Sequence, residues 1–262
     1  MGRVELLRDR ARRARARERI ARWLGCSLAE ADRLYRTSLT SEAQEEADSA
    51  WCMRHPHAWA EIFRPPRAEP AASGPTIYVT MHFGSPILAY LYLRRRRDVD
   101  VRVIVRPLSA ANPMPAAKRA FAERKLAWLA ADSGHAPLST DGAATAYARD
   151  HLVAGGSLFA AVDVPGDVVS RAAVVAPFGE RILVSSGMVT LARLTGASLQ
   201  PIVAVRRGDA LALRYGTNIP AGVDAATLAM TFHELATFIA DDPGEWWLWP
   251  YVVTPPATDG TP

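Results

Sequence analysis

Two cysteines, Cys26 and Cys52, are all that the 262 residues contain. They stand in unrelated contexts, so neither a disulfide framework nor the thiolate set of a structural zinc site can be assembled, and a reducing compartment fits best. Long apolar runs are also scarce. The longest, ILAYLYL at 87–93, falls far short of the roughly 20 residues that cross a bilayer, and the opening MGRVELLRDRARRARARERIARWLG has positive charge but no apolar h-region. No secretion signal or transmembrane anchor can be read. Neither Gly142 nor Gly155–Gly156 belongs to a GxGxxG or Walker loop, and Ser185–Ser186 before Gly187 lacks the flanks of a hydrolase nucleophile elbow. His55 and His57 have no Cys, Asp or third His beside them to complete a metal site, and His135, His151 and His233 are isolated. Metal and nucleotide chemistry therefore have no motif to rest on.

A 49% hydrophobic and 22% charged composition is enough to bury a full core and excludes disorder as the main state. The formal charge is +4. Residues 1–25 carry nine Arg against Glu5, Asp9 and Glu18, so the rest of the chain is slightly acidic and the basicity belongs mostly to one end. With the run Arg94–Arg97, mostly a solvated corner between helix and strand, this leaves open steering of an anionic partner, whether a coenzyme, an acidic carrier protein or lipid headgroups touched peripherally. No nucleic-acid-binding module accompanies it.

Residues 3–24 read as a helix stopped by Gly25, and a second helix starts at Ser27, where Ser and Glu30 resemble a capping box. The segment RPPRAEPAASGP marks a break. The expected organisation is a helical N-terminal portion at 1–63, a linker at 64–75, a core at 76–252 and a flexible tail at 253–262. Within the core, strands at 76–80, 101–105, 157–162, 200–205 and 210–215 alternate with helices at 86–95, from Pro115 to about 131, from Asp141 to Gly155, at 187–195 and at 224–240. That alternation predicts an α/β fold with a central, mostly parallel sheet flanked by helices.

Two segments carry candidate chemistry. In YVTMHFGSP at 78–86 a strand delivers His82 to its C-terminal end, where open α/β sheets place ligands, just before Gly84, Ser85 and a helix start. A neutral imidazole there can take a proton from an attacking hydroxyl or amine, and main-chain donors near Gly84 and Ser85 can face an oxyanion. In LFAAVDVPGDVVSR at 158–171 a strand ends at Asp163, which can orient a histidine on a neighbouring strand, and Arg171 can hold an anionic group. Each also has a plain structural explanation, as a tied strand end or a solvated turn. Trp246, Trp247 and Trp249 read either as a lid packed on the core or as the wall of an acyl pocket.

Taken in order, YVTMHFGSP, VIVRPLSAANP at 103–113, the stretch from Asp163 to Arg207 and DPGEWWLWPY resemble the bacterial lipid A biosynthesis acyltransferases, the lauroyl and myristoyl transferase family related to glycerophosphate acyltransferases. The likeness spans about 28–252. It implies a glycerolipid acyltransferase-like fold, His82 as the base that deprotonates the acceptor, Arg171 near a phosphate-bearing substrate, and Arg106 and Asn112 as substrate-binding positions in the Arg-Pro and Asn-Pro segment. The family pattern places an acid five positions after the histidine, and here that position is Ile87. Three alternatives follow: Asp163 replaces the acid, His82 works without one, or acyl transfer has been lost. The family also begins with a membrane-anchoring helix, and the polar N-terminal region here points to a soluble or carrier-tethered acceptor instead.

The reading that results is a cytoplasmic acyltransferase of specialised metabolism with His82 and Asp163 as its catalytic candidates. It takes acyl-CoA or an acyl-carrier protein as donor substrate, with no tightly bound cofactor and no metal. An acyl or peptidyl carrier protein is the expected partner, nucleic acid is not, and peripheral contact with the inner membrane face stays open. The alternative is a non-catalytic acyl-thioester or lipid-binding protein of the same fold. A hydrolase ranks below both, for want of a Ser or Cys nucleophile arrangement.

Overall fold

The computed structural model describes residues 10–57, 59–64, 70, 74–96, 99–108, 115–140, 144–164, 171–222 and 224–255. Helices α1 (Arg10–Leu24) and α2 (Leu28–Arg54) come first, then strands β1 (Phe63–Arg64) and β2 (Thr76–Thr80), helix α3 (Pro86–Arg96), strand β3 (Val101–Val105) and helix α4 (Ala116–Ser133). Strand β4 (Leu138–Ser139), helix α5 (Ala144–Val153) and strand β5 (Ser157–Ala161) follow. The chain continues through the pair β6 (Ala172–Val175) and β7 (Ile182–Ser185), helix α6 (Gly187–Thr195), strands β8 (Ser198–Arg207) and β9 (Ala210–Tyr215) and helix α7 (Asp224–Asp241).

The central sheet has the order β1-β9-β8-β2-β5-β3-β4. Strands β8, β2, β5, β3 and β4 run parallel, β9 turns back against β8, and β1 lies parallel to β9 at the edge. The mostly parallel α/β sheet read from the alternation of elements is present. The β6–β7 hairpin, in a small sheet of its own, was not expected. Its four-residue strands alternate in burial, but the outer positions are Ala172 and Val174 in β6 and Leu183 in β7, so the sequence shows no polar–apolar alternation.

Both faces of the sheet are covered, as a parallel sheet requires. The apolar run at 87–93 belongs to α3, in which Leu88 to Leu93 are all buried; a helix apolar all round is a core helix. With Tyr78, Phe159, Ile202 and Leu129 it fills one side. On the other, Ile77, Val79 and Met81 meet α5, α6, α7, the hairpin, and Ile20 and Tyr35 of the N-terminal helices. No helix among the described residues is long and apolar enough to cross a membrane.

Most arginines of α1 are paired within the protein. Arg13 and Arg17 converge on Asp32, Arg19 donates to the carbonyls of Trp249 and Val252 at 2.8 and 3.0 Å, Arg22 pairs with Glu180, and Arg12 lies 4.2 Å over the Tyr251 ring. In the second basic run, Arg95 pairs with Asp132 and Arg94 donates to the carbonyls of Asp132 and Ser133. These side chains hold helix ends and the C-terminal segment, and Arg94 and Arg95 share their charge with Asp132 and nearby carbonyls. Ser27 caps α2 by accepting from Glu30 N–H, while the Glu30 carboxylate turns to Arg33 rather than closing the box. At the other end, Val253 bridges to Leu183, so the presumed tail is paired there.

Candidate active site

Strand register builds the site. β2 and β5 are neighbours with Thr80 opposite Ala161, and Val162 N–H still bonds Thr80 O at 3.0 Å. Two residues beyond that pair on each strand stand His82 and Asp163, so they meet at the C-terminal edge of the sheet. From β2 the chain enters α3 on one face, and from β5 it proceeds to the hairpin and α6 on the other, the divergence at which parallel sheets open a ligand crevice.

Asp163 holds His82 at two points. Its Oδ1 lies 2.8 Å from His82 Nδ1, and its Oδ2 accepts the His82 backbone N–H at 2.8 Å. Oδ2 also accepts the indole N–H of Trp246 at 2.8 Å. The carboxylate side chain is 3% exposed against 38% for the imidazole. An acceptor at Nδ1 places the proton there and leaves the Nε2 lone pair outward. Burial pulls the His82 pKa down, but the Asp163 charge and hydrogen bond, aided by Glu42, outweigh it, and the net displacement is upward from 6.5.

The loop after His82 is fixed by its backbone. Trp247 N–H bonds His82 O at 2.9 Å, Gly84 N–H bonds Glu245 O at 3.0 Å, and Ser85 N–H bonds Ala204 O at 2.8 Å. The main-chain donors expected to face an oxyanion at Gly84 and Ser85 are thus engaged elsewhere, because this loop packs directly on β8 and the C-terminal turn. Gly84 has φ +56°, and a Cβ on it would lie 2.1 Å from Ala204 O, so glycine is required.

The outer wall comes from helices the sequence did not connect to His82. Ser41 of α2 donates to Glu245 Oε2 at 2.5 Å and accepts from Trp247 Nε1 at 3.3 Å, while the Trp247 ring stands 6.1 Å from the imidazole at 65°. Burial pushes the Glu245 carboxyl up. Glu42 of α2 and Lys125 of α4 both act on the His82 charge; Lys118 pairs with Glu42, and Lys125 with the buried Glu45 at 3.1 Å.

Behind Asp163, a cavity of about 30 Å³ is lined by Met81, Phe178, Phe232, Ile239, Trp246 and Trp23 among others. It borders the carboxylate rather than the imidazole, and it has room for roughly two waters. Trp246 and Trp249 are buried, with Trp23 stacked 4.7 Å from Phe178 and 6.1 Å from Trp246. These tryptophans close the core, and Trp246 also lines the cavity.

Of the other expected site residues, Arg106 is half-buried just past β3, one strand beyond Asp163 on the same edge. Arg171 is exposed at the start of β6, its carbonyl accepting from Ser186, and among the described residues no contact joins it to the dyad. Asn112 lies outside the described residues. Ile87, in the family's acid position, is in the first turn of α3 and packs against the apolar cluster. The Trp246 bond to Asp163 spans 83 positions, and no spacing rule could have exposed it. No family model and no curated protein matches the chain.

Proposed function

We propose that the chain is an acyltransferase in which His82 is the general base. It moves an acyl group from a thioester of CoA or a carrier protein to a hydroxyl or amine of a soluble or carrier-tethered acceptor. The observation that carries this reading is the Nδ1 contact of His82 with Asp163, which leaves Nε2 as the proton acceptor at a sheet edge suited to ligands. The resemblance of YVTMHFGSP and DPGEWWLWPY to the lipid A acyltransferases supports the same class, with Asp163 replacing the acid missing at Ile87.

In this mechanism Nε2 takes the proton as the acceptor oxygen or nitrogen forms its bond to the thioester carbonyl carbon. The tetrahedral intermediate collapses by breaking the C–S bond, and the imidazolium returns the proton to the departing thiolate. Asp163 steadies the imidazolium between the two steps. An amine acceptor must reach the site unprotonated.

One observation favours a non-catalytic thioester-binding protein: the Gly84 and Ser85 amides are already bonded and offer no oxyanion site. Intact-mass detection of product from acyl thioesters with a panel of alcohols and amines separates the two. Turnover by wild type and its loss in His82→Ala support transfer. Thioester binding without consumption supports the alternative, and full activity in His82→Ala removes His82 from the mechanism.

A further inference from the structure

We infer that Trp246 is a positioning residue for the His82–Asp163 pair, an inference that rests on the reading of that pair as the proton-transfer apparatus. Asp163 Oδ2 receives two N–H groups, the His82 backbone and the Trp246 indole, each at 2.8 Å. With Oδ2 anchored from two directions, the carboxylate has one orientation, and that orientation presents Oδ1 to Nδ1. The indole is itself immobilised: it is 4% exposed, Trp249 meets it edge-on at 4.8 Å and 69°, and Trp23 of α1 lies nearly parallel at 6.1 Å. Its backbone is bridged to Phe83, beside the histidine. Trp246 therefore links the apolar core to the plane of the carboxylate, and through it to the direction in which Nε2 points.

The other charged groups facing His82 are Glu42 from α2 and Lys125 from α4, with Lys118 and Glu45 as their respective partners; Glu245 of the same turn bonds Ser41. None of these touches Asp163. Among the described residues, Trp246 supplies the one side-chain hydrogen bond to Asp163 from outside the pair.

The test compares Trp246→Phe with wild type and His82→Ala, reading steady-state kinetics with acyl-CoA and the far-downfield proton resonance of His82 Nδ1–H. The expected result is a loss of kcat between about 10- and 100-fold with little change in KM, as for a displaced reacting group, together with a shifted or broadened resonance. An unmoved resonance overturns the inference, whether or not kcat falls. If wild type consumes no thioester, the functional reading fails while the resonance still decides the positioning role. Should Trp246→Phe not fold, site-specific replacement of Trp246 by 3-benzothienylalanine, which keeps the ring and removes the N–H, supplies the same comparison.

Discussion

Asp163 chelates His82, taking the ring Nδ1 on one oxygen and the backbone N–H of the same residue on the other, both at 2.8 Å. The two contacts fix both the position of the strand end and the rotation of the imidazole. A carboxylate five residues along a helix would have to reach back to the ring. Here the carboxylate arrives from the adjacent parallel strand, and Ile87, five positions after the histidine, packs against the apolar core.

Replacing the carboxylate exposes the balance of forces on His82. In Asp163→Asn, burial acts on the imidazole with only the weaker Glu42 charge opposing it, so its pKa falls. The acid limb of kcat/KM then shifts to lower pH, because the base is neutral over a wider range. With His82 acting as general base, as proposed, the acyl-transfer rate falls by about 10²- to 10⁴-fold. A pH–rate profile with parallel NMR titration of His82 checks both; an acid limb that stays in place contradicts the electrostatic account.

Glu42 and Lys125 act on the same proton from the helices above. Glu42→Gln removes a negative charge that favours imidazolium and lowers the His82 pKa, whereas Lys125→Met removes a cation and raises it. The two variants should displace the acid limb in opposite directions, each by less than Asp163→Asn. Movement in the same direction would show that neither charge reaches His82 directly.

Gly84→Ala addresses the loop. The substitution meets a left-handed φ, costing about 1 to 2 kcal/mol, and a steric overlap with Ala204 O that forces β2 away from β8. A loss of at least about 2 kcal/mol in urea unfolding is expected once packing strain is included. A loss below about 0.5 kcal/mol, the ordinary surface range, would mean that the loop yields.

The elements around this loop were largely readable in the sequence because each has its own period and punctuation. β2 and β5 are short apolar runs, Pro86 opens α3, and Gly25 and Gly196 end helices in the left-handed conformation. Asp163 was readable as a partner because both it and His82 terminate strands. What escaped depends on pairing between distant segments. The two-residue strands β1 and β4 are too short for any period, and their existence follows from β9 and β3 being there to receive them. The engaged amide at Gly84 depends on the C-terminal turn at Glu245 and that at Ser85 on the sheet order β8-β2, neither of which the sequence states. The arginines of α1 read as a basic arm because their acceptors, Asp32 and the carbonyls of Trp249 and Val252, lie on other elements.

That pairing gives the last prediction. Arg19 binds two carbonyls of the C-terminal segment, so Arg19→Ala removes two charge-assisted bonds and leaves two partly buried oxygens without these donors. About 2 to 3 kcal/mol of stability should be lost, whereas Arg15→Ala, at an exposed position of the same helix, should change it by less than about 0.5 kcal/mol. Both variants remove one positive charge, so a model in which α1 serves only as a basic surface predicts equal effects. Thermal unfolding at two ionic strengths distinguishes them. The Arg19 loss should persist in high salt because its partners are sheltered, and a loss that salt abolishes would place Arg19 in solvent after all.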